Sequence, residues 1–478
     1  MSEQLFLSTP PWRRARRGVS TRRDGQRGAA SLIVVMVLFF IMSLVAAYTS
    51  RNLIFEQRTS VNQQRAMQAH EAAEAGLEWA VAQLNGGRIT ANCLEAGATA
   101  ADTSFRQRYL NINTNLPPDP DSGKVTALVQ PAPPAPGLPQ PRRAGCVWNG
   151  LSWSCSCPSD ADPTPAVPVG TGIFPAFWVS FSNAGVTRPG VVKIVSNGCT
   201  SLDVACLSSA ANASNVEGRA LVTAIVALKS AVATPPAAAL TVIGNVNRVL
   251  GSGTLSVTNE DVERGGRTIH AFEPLVGMVE VALRTLPGTP ASASFIEDNS
   301  LRKLLDPLPA DLTAAGRAPA DFAFSTTFSA WPSMARRQPG AVRLDCPVAG
   351  CAAALASAVA LNPDRVIWIE GDLTLEAGGD IGSLPDPLNP AAPGPAAIIA
   401  TGSLIVSPGG AGARVFGMVY TRGGGWAGGG QIQGAAFVES NLAATAAQTV
   451  VFNGSVIDTL RLRAGSFVRA PGGWRDFP

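Results

Sequence analysis

The chain has 478 residues, and its 37 lysines and arginines nearly balance its 34 aspartates and glutamates. Residues 1–28 hold seven arginines against two acidic residues, a net charge of +5, whereas the whole chain carries +3. The rest of the chain is therefore slightly acidic, which excludes nucleic-acid binding through a broadly basic surface. The chain has two histidines, His70 and His270. Neither accompanies a nucleophile or a metal-ligand pattern, so the sequence argues against a histidine-based catalytic triad.

An uncharged apolar run follows the basic leader at residues 29–50. A helix needs about 20 apolar residues to span a bilayer, so this run predicts a transmembrane helix. Basic residues before such a helix stay in the cytoplasm, which predicts a cytoplasmic N-terminus and a periplasmic bulk at the inner membrane. A cleaved signal peptide and a twin-arginine signal fit poorly, since the run is long and Asp24 follows Arg22-Arg23. A plain signal anchor explains the topology but not the residues that follow.

Residues 51–87 predict a helix that continues the membrane span. They contain no proline, their first glycine is Gly76, and Gly86-Gly87 is a strong stop. Leu77, Ala80 and Leu84 recur at helical spacing and indicate a buried face. At 1.5 Å per residue the combined helix would be roughly 85 Å long.

The start of this helix resembles a type III, prepilin-type signal, in which Gly28 precedes Ala-Ala-Ser-Leu-Ile-Val-Val. Residues 71–76 read Glu-Ala-Ala-Glu-Ala-Gly and resemble the N-terminal module of PilX-type minor pilins. The resemblance covers roughly residues 26–85, under a fifth of the chain. It implies cleavage between Gly28 and Ala29 by prepilin peptidase. It also implies four kinds of partner: other minor and major pilins, prepilin peptidase, the inner-membrane assembly platform and a possible tip adhesin.

Position 33 departs from the general pilin pattern. If Ala29 is the first mature residue, the fifth is Ile33, where major pilins carry a glutamate that is thought to meet a neighbour's free amine. A lone carboxylate in a bilayer is costly unless it is paired. A subunit without it is handicapped in joining an existing filament but less so in starting one. The absence favours a tip or initiation subunit.

The bulk of the chain predicts an α+β protein whose extracytoplasmic part is rich in β-structure, because glycine and proline are frequent. Residues 88–235 predict a pilin-like head with three antiparallel strands, within Phe177–Phe181, Val191–Ser196 and Ala220–Leu228. The proline-rich residues 117–168 predict an irregular or partly disordered insertion. Within it, Trp148-Asn149-Gly150 predicts a hairpin with a type I′ turn.

Residues 236–478 hold short apolar runs separated by glycine and asparagine, which favours a domain that is in part a β-solenoid. No strict period exists, so a β-sandwich is the alternative. A more helical insertion is expected near residues 296–360, with one apolar run at 300–305 and another at 351–361.

The eight cysteines all follow the membrane span, in what should be an oxidising compartment, so disulfides are expected. Short loops favour the pairs Cys199–Cys206 and Cys346–Cys351. Cys146 is expected to pair with Cys155 or Cys157. The Cys155-x-Cys157 spacing differs from the C-x-x-C of zinc and redox sites, which makes metal binding the weaker hypothesis.

Other candidate sites have simpler explanations in the sequence. Asp119-x-Asp121 lacks the later glutamate of a calcium loop, so a solvated loop is the better interpretation. The glycine-rich run around Trp426 lacks the lysine of a phosphate-binding loop and predicts a flexible corner, in which an exposed Trp426 is one option. Glu370 and Asp372 are close on a strand but are more often a polar face. No catalytic residue, metal ligand or cofactor is predicted.

The sequence thus predicts a non-enzymatic minor pilin of a type IV pilus that primes assembly or sits at the filament tip and aids adhesion. A K-type minor pseudopilin of a type II secretion system is the nearest alternative, since it too lacks the fifth-position acid. The alternative from another class is a signal-anchored periplasmic β-helical protein acting on carbohydrates, which would need paired carboxylates in a groove.

Overall fold

The structure is a computed structural model. It describes residues 27–97, 102–115, 119–130, 140–166, 168–169, 174–183, 188–200, 218–244, 246–247, 254–272, 281–297, 316, 318–346, 351–376, 378–386, 394–407, 412–423, 425–440, 442–443 and 446–476. Most of the leader, Cys206 and the apolar run at 300–305 lie outside these ranges. The described chain consists of a long N-terminal helix followed by a large β-rich region.

The long helix α1 spans Arg27–Leu84 and ends just before Gly86-Gly87, as the sequence predicts. Of the described residues, those from Arg27 to Gln64 form one compact unit and those from Arg65 onward form a second. The remaining helices are short: α2 Phe105–Tyr109, α3 Pro319–Phe328, α4 Pro332–Ala335, α5 Ala352–Leu361 and α6 Gly454–Arg463. Helices α3, α4 and most of α5 lie within residues 296–360, and α5 corresponds to the apolar run at 351–361.

The first part of the β-rich region is antiparallel. Its strands are β1 Arg88–Ile89, β2 Thr103–Ser104, β3 Leu110–Ile112, β4 Val125–Ala127, β5 Arg143–Trp148, β6 Trp153–Ser156, β7 Pro175–Ser182, β8 Val191–Thr200 and β9 Arg219–Ser230. The three strands predicted from the sequence correspond to β7, β8 and β9, which pair in that order. These three strands are therefore confirmed.

The proline-rich residues 117–168 are more regular than predicted, because they supply β5 and β6 to this same sheet. Trp148 pairs with Trp153, so four residues, 149–152, form the loop of the predicted hairpin. The prediction of a two-residue type I′ turn is therefore wrong. The Asn149 side chain accepts hydrogen bonds from the backbone N–H groups of Leu151 and Ser152, at 2.9 and 2.7 Å, which stabilises the wider loop.

The second part of the β-rich region is parallel throughout its pairs. Its strands are β10 Leu240–Val242, β11 Val246–Asn247, β12 Leu255–Thr258, β13 Ile269–Ala271, β14 Val281–Arg284, β15 Phe295–Glu297, β16 Ala341–Asp345, β17 Val366–Glu370, β18 Leu373–Leu375, β19 Asp380–Ile381, β20 Ala396–Ala400, β21 Leu404–Val406, β22 Arg414–Thr421, β23 Trp426–Gly428, β24 Gly430–Val438, β25 Leu442–Ala443 and β26 Gln448–Phe452. A large sheet has the path β14-β12-β26-β24-β22-β20-β17-β16, and β18-β21-β23 forms a second sheet.

Successive strands of the large sheet pair in register, so residues at the same level form rows that run across the strands. Trp368 aligns with Ile399, Ile399 with Tyr420, and Tyr420 with Phe437. Apolar side chains in one row stack along the sheet and exclude water from the space beneath helix α3. Phe324 of α3 packs on the Tyr420 ring with centroids 5.1 Å apart.

The last strand, β27 Gly465–Arg475, leaves the parallel region and pairs with β9 at the edge of the antiparallel sheet. The sequence analysis assigned these residues to the 236–478 region. No local signal marks their return, because strand pairing over such a sequence distance depends on the tertiary fold. The six-stranded sheet has the order β27-β9-β8-β7-β5-β6.

Asn85, the residue after α1, closes the outer edge of β27. Its side-chain oxygen accepts from the backbone N–H of Phe467 at 2.8 Å, and its side-chain nitrogen donates to the Phe467 carbonyl at 2.9 Å. The amide therefore pairs with Phe467 as a neighbouring strand would. Such pairing blocks part of a sheet edge that would otherwise be open.

Arg106 of α2 is buried beside this contact and joins three parts of the chain. Its guanidinium donates to the carbonyl of Leu84 at the end of α1, to the Gly465 carbonyl at 2.7 Å and to the Asp364 carbonyl at 3.3 Å. Burial lowers the pKa of the guanidinium to about 10, so it stays protonated at neutral pH. A cation at the C-terminal end of a helix also offsets the helix dipole.

We expect Arg106→Ala to lower the free energy of unfolding by about 3–5 kcal/mol. The reason is that an unpaired buried carbonyl costs about 1–3 kcal/mol and several would lose their donor. The measurement is denaturant unfolding of the full-length protein in detergent. Arg284→Ala is the control, since the Arg284 side chain is 74% exposed, and it should change stability by less than about 0.5 kcal/mol. Equal stability of the two variants would contradict the role assigned to Arg106.

Candidate assembly interface

The predicted processing residues lie at the start of α1. The helix begins at Arg27, which places Gly28 and Ala29 in its first turn. Ile33 lies four residues beyond Ala29, and its side chain is 62% exposed. An isoleucine at this position offers only apolar surface, so it cannot form an ion pair with a neighbouring amine.

The apolar half of α1 is unusually exposed for its composition. Its large apolar side chains between Leu32 and Tyr48 are 51–74% exposed. The helix is also long and apolar enough to cross a membrane. Apolar surface of this extent indicates a lipid environment or neighbouring protein.

The last part of α1 packs on the antiparallel sheet at very short range. A Cβ added at Gly198 of β8 would lie 2.0 Å from the carbonyl oxygen of Ala69 and 2.4 Å from the backbone nitrogen of Ala73. No side chain fits there, so glycine is required for steric reasons alone. Glycine inside a strand is a known sign of close backbone approach, so this contact could have been suspected from the sequence.

Gly76 makes the matching approach from the helix side. A Cβ at Gly76 would lie 2.5 Å from the Ser196 hydroxyl and 2.7 Å from the Phe177 ring. One turn further along, Trp79 packs against Phe105 and Phe177, with ring centroids 5.4 and 5.6 Å apart. The predicted buried face of the helix lies on this contact, since Leu77 is 1% exposed and Ala80 and Leu84 are fully buried.

Disulfides cross-link both parts of the β-rich region. Cys146 is bonded to Cys155, its directly opposed partner on β6. Cys157 is bonded to Cys93, a pair that the sequence analysis did not consider. Cys346 is bonded to Cys351. Cys199 is also disulfide-bonded, and Cys206, its predicted partner, lies outside the described residues.

The other candidate residues have structural surroundings. His70 is half-buried on α1, and His270 lies in β13 with its ring 4.8 Å from that of Phe272. Glu370 is ion-paired with Arg336. The Asp372 carboxylate accepts from the Ser403 backbone N–H at 2.7 Å, so each of these two carboxylates has a structural partner.

The structure also shows the surroundings of Asp119 and Trp426, which lie in two segments predicted to be loops. The Asp119 carboxylate accepts hydrogen bonds from the Asn115 and Asn113 side chains and from the Asp121 backbone N–H, and these bonds lower its pKa. Trp426 is 2% exposed, and its indole N–H donates to the Gly429 carbonyl at 3.0 Å. The prediction that Trp426 could be exposed is therefore wrong, because its ring, on β23, is buried in the core.

A buried polar cluster links helix α3 to the parallel sheet. The Tyr420 hydroxyl donates to Glu439 at 2.8 Å, and Arg422 contacts both Glu439 at 3.2 Å and Asp321 at 2.5 Å. Burial raises the pKa of the Glu439 carboxyl, while Arg422 lowers it. Asp321 also accepts from the backbone N–H of Ala318 at the start of α3. The cluster therefore fixes α3 on the strand ends.

Comparison with known families finds one match, at the N-terminal helix. Residues 27–78 match the PilX N-terminal family. The chain carries a PilX N-terminal domain. The match concerns residues 27–78 of the 478, so it is this segment, rather than the whole chain, that is similar to the start of PilX-family proteins.

Whole-chain comparison adds little to this match. The crystal structure of the competence-associated pilin ComZ from Thermus thermophilus aligns with 86% of this chain and 97% of its own, at 12% identity. The TM-score is 0.19, which is too low to carry an argument. No curated protein matches the chain.

The geometry gives a physical reason for the PilX sequence pattern in residues 71–76. Ala72, Ala73 and Gly76 are buried where helix and sheet approach most closely, so small residues are needed there. Glu71 and Glu74 lie on the exposed side. The sequence analysis recognised this pattern but not the role of Gly198, Asn85 or Arg106.

We expect Gly198→Ala to separate the PilX helix from the sheet, because the added methyl overlaps the Ala69 carbonyl. Overpacking of this kind costs about 1–3 kcal/mol. Limited proteolysis of the full-length protein should then cut within residues 65–84, and the unfolding midpoint should fall. Gly97→Ala is the matched control, since nothing lies within 4 Å of its added Cβ. Identical proteolysis of both variants would refute the close-approach argument.

Proposed function

We propose that this protein is a minor pilin of a type IV pilus, cut by prepilin peptidase between Gly28 and Ala29 and placed at the start or tip of a filament. The observation that carries the proposal is the combination of a PilX N-terminal domain with an exposed apolar helix that begins at the glycine junction. Cleavage there would leave Ala29 as a free amine at the start of the helix.

Ile33 supports a position at the start of the filament. A glutamate at this place would pair with a neighbour's amine in surroundings of low dielectric constant, where an unpaired charge is costly. This chain cannot supply that carboxylate. The chain therefore lacks this ion pair when it joins a subunit already in place. A later subunit that carries the glutamate could still pair with this chain's amine.

The leader supports the topology of the precursor. Seven arginines precede the apolar helix, which favours a cytoplasmic N-terminus and a head delivered to the periplasmic side. After assembly the head would be carried to the cell surface.

The parallel region is suited to presentation at a filament end. We infer that it is a short β-solenoid, because β17, β20 and β22 follow one another in register while the short strands β18, β21 and β23 pair in the same order. β17, β20 and β22 are each followed along the chain by a strand of the second sheet, β18, β21 and β23 respectively, as in successive coils. Such a rigid region could aid adhesion by holding its corner loops at fixed positions.

The second candidate is a K-type minor pseudopilin of a type II secretion system. Ile33 and the large head favour it equally, since such a subunit would also begin a filament. The genes that neighbour this one distinguish the two, because pilus and secretion systems are encoded with different machinery.

The processing proposal predicts that the mature protein starts at Ala29. Intact mass and N-terminal peptide mass spectrometry on membranes should show loss of residues 1–28. Gly28→Ala should be cleaved poorly, so that full-length protein accumulates in the inner membrane. Gly25→Ala, a glycine substitution three residues upstream, should be processed normally. An intact leader in the wild-type chain, or a cut near Ala47, would refute the proposal.

The initiation proposal predicts that Ile33→Glu moves the subunit along the filament. With the acid restored, the chain should join existing filaments, and immunogold labelling should shift from filament ends to shafts. Ile33→Gln adds polarity without charge and should keep the labelling at the ends. Labelling of shafts by the wild-type chain would contradict the initiation role.

A further inference from the structure

A polar cleft lies beside the antiparallel pair of strands β3 and β4. Its volume is about 900 Å³, within the range of about 300–1,000 Å³ that is typical of small-molecule sites. The polar side of the β3–β4 pair forms one wall, one face of helix α6 forms a second, and Pro385 and Asp386 border it as well. We call it the β3–β4 cleft.

The β3–β4 pair is apolar on one side and polar on the other, and the polar side lines the cleft. Leu110 and Val125 are buried in the core of the antiparallel region. Asn111 lies directly opposite Thr126, so these two side chains project on the same side, and both line the cleft. The exposed Asn111 amide forms no hydrogen bond within the described part of the chain. It therefore offers both donors and an acceptor to the cleft.

Helix α6 supplies hydroxyl groups to the second wall. Ser455 and Thr459 are four residues apart on this helix, so they share a face, and both line the cleft. Thr459 is only 7% exposed, yet among the described residues its hydroxyl has no hydrogen-bond partner. A buried hydroxyl without a partner costs free energy of folding. A polar group that enters the cleft would supply the missing partner.

Contacts around Gly123 fix the first wall in place. A Cβ added at Gly123 would lie 3.1 Å from Cδ2 of Leu462, so the residue just before β4 packs closely on α6. The Gly123 backbone N–H donates to the Asn113 carbonyl at 2.8 Å, and its carbonyl accepts from the Gly190 backbone N–H at 2.7 Å. The two walls are therefore held together without a ligand, and a preorganised site binds at a lower entropic cost.

The charges that line the cleft cancel. Asp121 and Asp386 are matched by Lys124 and Arg463. Lys124 is ion-paired with Asp121 at 3.1 Å, and Arg463 is ion-paired with Asp364 at 3.0 Å. A site without net charge favours neither an anionic nor a cationic ligand. None of the described residues that line the cleft is aromatic, which disfavours a flat apolar ligand.

We propose that the β3–β4 cleft binds a short neutral oligosaccharide. A sugar hydroxyl both donates and accepts hydrogen bonds, and so do the Asn111 amide and the hydroxyls of Ser455 and Thr459. The cleft offers these groups on two facing walls, so one sugar chain contacts both. Its described residues all follow Arg65, in the second compact unit. The proposal thus goes beyond the proposed function and does not depend on leader cleavage or on a place in a filament.

The experiment applies the labelled full-length protein to an array of defined neutral, sialylated and sulfated oligosaccharides. The protein is kept in a detergent without a sugar headgroup, because such a headgroup would compete for the cleft. We expect binding to neutral oligosaccharides, and titration calorimetry with the one that gives the strongest signal then measures its Kd. Binding to no neutral oligosaccharide, or to acidic ones alone, overturns the proposal.

Substitutions in the two walls test whether the sugar binds in this cleft. Asn111→Ala and Thr459→Val should each raise the Kd about five- to tenfold, since each removes one hydrogen-bonding group. Thr374→Val, on β18 and outside the cleft, is the matched control and should leave the Kd unchanged. An unchanged Kd in the variant that combines Asn111→Ala with Thr459→Val overturns the proposal, because the sugar would then bind elsewhere.

Thermal unfolding distinguishes a binding role of the Thr459 hydroxyl from a structural one. Thr459→Val keeps the shape of the side chain and removes a hydroxyl that has no partner among the described residues. The unfolding midpoint without sugar should therefore stay the same or rise, while the Kd rises. A lower midpoint in this variant would show that the hydroxyl stabilises the fold itself, and it would overturn the assignment of Thr459 to the ligand.

Discussion

A buried cation, Arg106, held mainly by backbone carbonyls, joins three segments of the β-rich region. The Arg106 guanidinium is surrounded by backbone carbonyls from the end of α1, the start of β27 and the turn at Asp364. Desolvation of this charge is costly, as its lowered pKa of about 10 indicates, so the carbonyls must stay in place to offset it. Arg106 therefore fixes both the C-terminal end of α1 and the start of β27.

Close packing of α1 on the sheet complements this polar contact. Gly198 and Gly76 allow the helix backbone to approach where any side chain would collide. The helix therefore presents small residues inward and glutamates outward. One short sequence, residues 71–76, thus sets both the docking of α1 on the sheet and the negative charge that α1 exposes.

Features that depend on a local sequence pattern could be predicted from the sequence. The apolar run, the glycine stop after residue 85 and the apolar runs of β7 to β9 are each legible within a few residues. Gly198 carried a weak signal as a glycine within a strand. Arg106, Asn85 and β27 carried none, because their roles depend on contacts between segments hundreds of residues apart, such as Asn85 with Phe467. Trp426 was misjudged since glycines around it suggested a loose corner rather than a buried strand.

The position of β27 has a consequence for the order of synthesis. Phe467 of β27 leaves the ribosome 382 residues after Asn85, the residue that it contacts at the end of α1. A stalled or truncated chain would therefore keep Asn85 and Arg106 without their partners at Phe467 and Gly465. The end of α1 is therefore secured only after β27 has been synthesised, and a chain that stops before β27 lacks these contacts.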